Sequence, residues 1–128
     1  TDEHRPQLIS IDPQTATRHI MRFGFEQIEQ ADRLRQIIFT SDDAADSLGH
    51  LRNQAGLVFI DGLHTEAACL NDFTNYAPLV RPGGALLIHD AEPARYSVLR
   101  VLVEHVLPDP RFEIKCLVDG LAVLERRS

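Results

Sequence analysis

The chain has 128 residues, of which 44% are hydrophobic and 25% charged, and its formal net charge at pH 7 is -6. This composition is typical of one soluble globular domain and excludes a disordered or fibrous protein. The negative charge and the scattered basic residues argue against nucleic acid as a partner. No apolar run is long enough to cross a bilayer. We therefore expect a soluble cytoplasmic protein without a membrane or nucleic-acid partner, folded as a single domain over residues 1–128.

The first half of the sequence alternates strand-like and helical patterns. Residues 8–11 form a short apolar run that ends in Asp12-Pro13, which predicts a strand. A helix over residues 15–23 follows, and Gly24 is placed to close it. Residues 36–40 are rich in β-branched and aromatic types, which favours a second strand. The spacing of apolar residues then predicts a helix over residues 43–52, which Ser41 or Asp42 can cap.

The second half continues the alternation and then changes. Residues 57–60 and 85–88 are apolar without polar alternation, which is typical of strands covered on both faces, and we expect the first of them to be central. A helix lies between them, with Leu70, Phe73, Ala77 and Val80 on its apolar face, and ends at the Pro-Gly-Gly sequence of residues 82–84. A last helix begins at Pro93, with Leu99, Leu102, Val103 and Val106 on its face. Two strand-like runs, residues 112–118 and 121–125, flank Asp-Gly and predict a hairpin.

This order of elements predicts an α/β fold. Strands that alternate with helices form a parallel sheet with helices on both faces, connected by right-handed crossovers. We therefore expect a Rossmann-like, doubly wound and mostly parallel sheet that ends in a C-terminal antiparallel hairpin.

Four predicted strands end in acidic residues, namely Asp12, Asp42, Asp61 and Asp90. Acidic residues favour turns and helix starts, so each of them can also be explained as a cap. Ligands in such sheets bind at the carboxyl ends of the strands, however, and four carboxylates at one edge exceed what capping needs. Asp12 suits the hydroxyls of a ribose. Asp42 suits an adenine amino group about as well as it suits a cap.

The segment after residue 60 carries the most informative pair, Asp61 and His64. Histidine is the side chain best suited to accept a proton near neutral pH, which makes His64 a candidate base. The alternative is a histidine at a helix start that binds a nearby carbonyl. His89-Asp90 ends what should be the adjacent strand, so Asp61 and Asp90 are placed to share a divalent cation.

These motifs resemble one family. Residues 58–65 (VFIDGLHT), then Leu70 and Asp72, then residues 77–90 (APLVRPGGALLIHD), are similar to class I methyltransferases of the macrocin and mycinamicin O-methyltransferase group, methyltransferase family 24. Residues 8–13 (LISIDP) and 40–42 (TSD) resemble the ribose and adenine strands of the same family. The likeness extends over nearly the whole chain.

The resemblance implies methyl transfer from S-adenosylmethionine to a small-molecule hydroxyl of a sugar or natural product, assisted by magnesium. Carried over to this sequence, Asp12, Asp42 and Asp61 contact the cofactor and His64 is the catalytic base. The metal ligands implied are Asp61, His89 and Asp90. A homo-oligomer is compatible with the sequence.

The sequence departs from the family pattern at three places. His89 stands where metal-dependent relatives often have glutamate, and imidazole is a poorer ligand for magnesium than carboxylate. Glu66 stands where an aromatic residue is common. No glycine-rich turn precedes Leu8, so we expect the first strand and its glycine-rich loop to lie upstream of Thr1, and the chain to be a partial methyltransferase domain.

Three other readings of the sequence remain. The chain could be a non-catalytic or degenerate methyltransferase fragment that serves in interaction, which the retained Asp61, His64 and Asp90 oppose. The same pocket could carry out another reaction, since some relatives were named for hydroxylase roles and a fold does not fix chemistry. A phosphoacceptor receiver domain also has aspartates at strand ends, but it needs a lysine where this chain has His89-Asp90.

Overall fold

The computed structural model describes residues 7–37, 40–62 and 65–128, apart from the side chains of residues 15–17. The chain divides into two compact units, residues 1–44 and 45–128. None of the helices in the described ranges has the length and apolar content needed to cross a bilayer.

The first unit is built on two parallel strands connected by a helix. Strand β1 (Leu8–Ile11) pairs with β2 (Leu34–Ile37), with Leu8 opposite Leu34 and Ile11 opposite Ile37. Helix α1 (Thr15–Gln27) lies between them in the sequence, and the Gln36 side chain donates a hydrogen bond to the Arg18 carbonyl at 3.0 Å. This unit is a β-α-β element, as the sequence predicts.

Two boundaries in the first unit differ from the prediction. Helix α1 continues past Gly24 to Gln27, and it is Glu29, with φ of 57°, that takes the left-handed conformation after the helix. Gly24 is tolerated inside the helix, since glycine weakens a helix by only about 1 kcal/mol and does not by itself end one. Strand β2 begins at Leu34, two residues earlier than predicted. Ile38 and Phe39, on which the prediction of this strand relied, lie outside the described residues.

A short helix follows Thr40, which caps it. Helix α2 (Ser41–Ala45) continues as a 3₁₀ helix over Asp46–Leu51. The Asp43 amide donates to the Thr40 hydroxyl at 3.3 Å, and the Ala44 amide donates to the Thr40 carbonyl at 3.0 Å. The sequence predicts an apolar face of Ala44, Leu48 and Leu51. Ala44 and Leu48 are buried, and Leu51 is partly buried.

The second unit contains a four-stranded sheet in the order β3-β4-β6-β5. Strands β3 (Ala55–Ile60) and β4 (Val80–Ile88) are parallel, with Ile60 opposite Ile88. Strands β5 (Phe112–Val118) and β6 (Leu121–Arg126) form the predicted antiparallel hairpin, and β6 pairs antiparallel with β4. Asp119 and Gly120 both have positive φ, 50° and 81°. Positive φ at both central residues suits a two-residue hairpin turn.

Helices α3 (Glu66–Tyr76) and α4 (Tyr96–Val101) cover one face of this sheet. Short 3₁₀ turns extend α3 over Ala77–Leu79 and precede α4 over Pro93–Arg95, and a π-helical turn over Leu102–Val106 continues α4. Alternate residues of β4 and β6 point toward the helices and form the core together with buried residues of both helices. The largest fully buried core side chains are Leu86, Ile88, Leu102, Leu124, Val80, Val98, Val101 and Val106.

Three details of the second unit correct the prediction. Val80 belongs to β4 and not to the preceding helix, because the chain leaves the helix after Leu79 and pairs with β3. Val103 is 54% exposed, whereas Val98 and Val101 are buried, so the apolar face of α4 is rotated relative to the prediction. Strand β3 is not central in the described sheet. It lies at the edge, and its residues Leu57 and Phe59 are 57% and 52% exposed. The prediction was wrong because an apolar run indicates a buried strand but does not specify which other segments pack against it.

Candidate functional site

Asp61 and His89 meet because their strands are parallel neighbours. Asp61 directly follows β3 and His89 directly follows β4, so both lie at the carboxyl edge of this strand pair. The His89 amide donates a hydrogen bond to the Ile60 carbonyl at 3.0 Å, which extends the pairing one residue beyond the strands. The distance from His89 Nδ1 to Asp61 Oδ1 is 3.2 Å. The sheet thus fixes the two backbones from which these side chains project.

Asp90 approaches the same ring nitrogen from the next position in the chain. Its Oδ2 lies 3.4 Å from His89 Nδ1, and its side chain is 19% exposed, compared with 41% for His89 and 42% for Asp61. The backbone of Asp90 is left-handed, with φ of 62°. Aspartate adopts this conformation more readily than most residues, but it still carries a cost. The local turn therefore directs the Asp90 carboxylate back toward the site.

The hairpin supports this turn from the other side. The Ala91 amide donates a hydrogen bond to the Gly120 carbonyl at 2.8 Å. Gly120 has φ of 81°, and a Cβ added there would lie 3.2 Å from the Glu92 carboxylate. The segment that carries Asp90 is thus held by a hydrogen bond from a turn in which glycine is needed. Phe59 adds an aromatic contact, with its ring centroid 6.3 Å from that of His89.

The three side chains form a group that could hold a metal ion. One ligand atom from each of Asp61, His89 and Asp90 lies within 4.8 Å of the others. Atoms that bind one ion at about 2.1–2.4 Å lie at most about 4–5 Å apart, so this spacing fits a shared cation. The two carboxylates suit magnesium or manganese, and the imidazole suits transition metals better than magnesium. Carboxylates this close together repel, and a cation among them would relieve that repulsion.

Asp12 and Asp42, which are also predicted site residues, belong to the first unit. Asp12 follows β1 in the first unit, where its Oδ1 accepts a hydrogen bond from the Gln14 amide at 2.8 Å. Asp42 is in the first turn of α2 and is exposed. Their roles toward a cofactor stay predictions. His64, the predicted base, lies outside the described residues. Thr65, the residue after it, caps α3 by accepting a hydrogen bond from the Ala68 amide at 3.2 Å.

A buried carboxylate near the site is that of Asp72, which is part of the family resemblance but to which the sequence assigns no role. Asp72 is 6% exposed and is the single buried charged side chain in the described ranges. Its Oδ2 lies 2.7 Å from the position that a Cβ on Gly62 would occupy. Burial of the Cys69 thiol, and to a smaller extent the charge of Asp72, raises the pKa of that thiol to about 11. A signal was available, since Asp72 stands three residues after Cys69 and directly before Phe73, on the apolar side of a predicted helix.

A cleft in the second unit lies apart from this group. It is open, with a volume of about 690 Å³, and is lined by Pro82, Gly83, Glu113, Glu125 and neighbouring C-terminal residues. None of the predicted site residues in the described ranges lines it. The chemistry of the side chains, and not the shape of a cavity, therefore identifies the candidate site.

The strand order, the parallel β3-β4 pair and the C-terminal antiparallel hairpin define a class I methyltransferase fold. The family model described as a methyltransferase domain, methyltransferase family 24, matches residues 1–91. The chain belongs to this methyltransferase family.

Solved structures from three bacteria have the same fold. A protein from Corynebacterium glutamicum is 20% identical with a TM-score of 0.81, and the match covers 95% of this chain and 61% of that one. An O-methyltransferase from Bacillus cereus, in complex with S-adenosylhomocysteine, is 14% identical with a TM-score of 0.76 over 94% and 63% of the two chains. TomG from Streptomyces achromogenes, an O-methyltransferase of tomaymycin synthesis in complex with S-adenosylmethionine, is 14% identical with a TM-score of 0.75 over 95% and 62%. The chain thus spans about three fifths of the length of these relatives.

Proposed function

We propose that this chain is part of an S-adenosylmethionine-dependent O-methyltransferase that acts on a small-molecule hydroxyl, such as that of a sugar or natural product, with the help of a divalent cation. The observation that carries the proposal is the convergence of Asp61, His89 and Asp90 at the carboxyl edge of β3 and β4, in a member of a methyltransferase family. Similar folds in the O-methyltransferases from Bacillus cereus and Streptomyces achromogenes support it.

The first unit would bind the adenosine part of the cofactor. Asp12 ends its strand with its Oδ1 bound to the Gln14 amide, which fixes the direction of the carboxylate. A carboxylate held in this way can accept hydrogen bonds from the two ribose hydroxyls. Asp42 would accept a hydrogen bond from the adenine amino group. When bound, S-adenosylmethionine supplies an electrophilic methyl group on a sulfonium sulfur.

The second unit would prepare the acceptor hydroxyl. Asp61 and Asp90, with His89 between them, would hold a divalent ion, which lowers the pKa of a hydroxyl bound to it. His64, three residues after Asp61, would accept the hydroxyl proton as the oxygen bonds to the methyl carbon and the carbon-sulfur bond breaks. Much of the rate enhancement would then come from positioning, since the transfer needs the oxygen, methyl carbon and sulfur in line.

The base assignment is tested with His64→Ala in the full-length protein. Consumption of S-adenosylmethionine is followed with a panel of sugar and phenol acceptors. We expect a loss of about 10²- to 10⁴-fold in turnover, as is usual for removal of a general base. Activity should recover partly at high pH, where the acceptor hydroxyl ionises without a base.

His105→Ala is the matched control, because His105 is exposed on the helical segment after α4. It should leave turnover unchanged. Equal turnover in the parent and in the His64→Ala variant would show that His64 is not the base. No turnover in the parent with any acceptor would oppose the proposed reaction itself.

A further inference from the structure

We infer that Asp72 is a positioning residue that holds the Asp61-Gly62 backbone in place for cation binding by Asp61. The inference deepens the proposed function and rests on it for the role of the cation. Asp72 does not belong to the group of Asp61, His89 and Asp90. It lies on α3, beneath the segment that leaves β3.

The contact between Asp72 and Gly62 is close enough to fix the backbone. A Cβ at residue 62 would lie 2.7 Å from Asp72 Oδ2, a distance at which one of the two groups would have to shift. The Asp72 carboxylate therefore fills the space that a side chain at residue 62 would need. The carboxylate therefore limits movement of the peptide after Asp61 toward α3.

Two supports of different kinds then set the position of Asp61. The hydrogen bond from the His89 amide to the Ile60 carbonyl fixes the residue before it. The packing of Asp72 against Gly62 fixes the residue after it. With both neighbours held, the Asp61 carboxylate is kept 3.2 Å from His89 Nδ1.

The burial of Asp72 limits its freedom to move away from Gly62. Asp72 is 6% exposed, and Cys69, Phe73 and Tyr76 of the same helix are buried with it. Side chains in a close-packed interior have few alternative positions. We therefore expect the carboxylate to keep its place beside Gly62.

A stability cycle in the full-length protein tests the contact. Gly62→Ala is compared in the parent and in an Asp72→Ala background by urea unfolding. In the parent, the added methyl group should raise the unfolding equilibrium constant about tenfold, as overpacking does. In the Asp72→Ala background, where the methyl group has room, the same change should have an effect of about twofold or less. Equal effects in both backgrounds would overturn the inference.

Cation affinity tests the positioning role. Mn²⁺ is titrated by calorimetry into folded parent, Asp72→Ala and Asp72→Asn, with Asn71→Ala as a control on the exposed side of the same helix. We expect Asp72→Ala to bind Mn²⁺ about 10- to 100-fold more weakly, Asp72→Asn to recover most of the loss because it keeps the shape, and Asn71→Ala to match the parent. Parent-like affinity in Asp72→Ala, or no recovery in Asp72→Asn, would contradict the positioning role.

The two proposals fail in different ways. If the folded parent does not bind Mn²⁺, the part of the proposed function that uses a divalent cation would be contradicted. The stability cycle would still decide whether Asp72 holds the backbone at Gly62. A parent that binds Mn²⁺ while the cycle shows no coupling would overturn the inference about Asp72 and leave the proposed function in place.

Discussion

Replacement of Gly120 by alanine should destabilise the second unit by about 1–2 kcal/mol, the usual cost of left-handed backbone for a residue with a Cβ. Gly120 has φ of 81°, and the new Cβ would lie 3.2 Å from the Glu92 carboxylate. The glutamate can turn away, so most of the loss should come from the backbone. The Gly120 carbonyl accepts a hydrogen bond from the amide of Ala91, the residue after Asp90. A change in this turn should therefore displace Asp90 and weaken Mn²⁺ binding.

Urea unfolding followed by circular dichroism measures this loss, and Gly83→Ala separates its two parts. Gly83 has φ of 80° and nothing within 4 Å of an added Cβ, so its substitution reports the backbone term alone. Gly120→Ala should lose more stability than Gly83→Ala, and the difference is the cost of the contact with Glu92. Glu92→Ala should remove that difference. A Gly120→Ala protein within about 0.5 kcal/mol of the parent would refute the argument that this turn needs glycine.

Two further predictions concern titrating groups. Burial, and to a smaller extent the charge of Asp72, raises the pKa of the Cys69 thiol to about 11. At pH 8 iodoacetamide should therefore modify the exposed Cys116 and spare Cys69, which mass spectrometry of the native protein would show. Modification of both cysteines at equal rates would contradict this prediction. Hydrogen bonding from Arg111 lowers the pKa of the Asp109 carboxyl, so Asp109 stabilises the fold above its unfolded pKa of about 4, and this contribution is lost as pH falls through the lower folded pKa. Asp109→Asn should therefore be less stable than the parent at pH 7 by urea unfolding, with the difference shrinking in acid, and a difference that does not vary with pH would be inconsistent with this.

The sequence predicted those parts of the fold that local patterns determine. Strand β1 has the predicted bounds, since an apolar run followed by Asp-Pro leaves little freedom. The hairpin was also predicted, because Asp-Gly requires a tight turn. The predicted end of α1 was wrong because a glycine such as Gly24 ends a helix only where the chain turns. The edge position of β3 was missed because hydrophobicity specifies burial and not the partner strand.

The candidate site divides in the same way. The group of Asp61, His89 and Asp90 was predictable, because parallel strands bring residues at their carboxyl ends together. The contact between Asp72 and Gly62 depends on how closely α3 approaches the end of β3, and no local pattern encodes that distance. The left-handed conformation of Asp90, whose neighbours His89 and Ala91 donate hydrogen bonds to other elements, is likewise not encoded by a local pattern.

The central claim is that the chain belongs to an enzyme that uses S-adenosylmethionine, and cofactor binding tests it most directly. Calorimetric titration of S-adenosylhomocysteine into the full-length protein should show one site, with and without Mg²⁺. Asp12→Ala should weaken this binding about 10- to 100-fold, because it removes hydrogen bonds to a charged acceptor. Absence of S-adenosylhomocysteine binding to the folded full-length protein would contradict the claim.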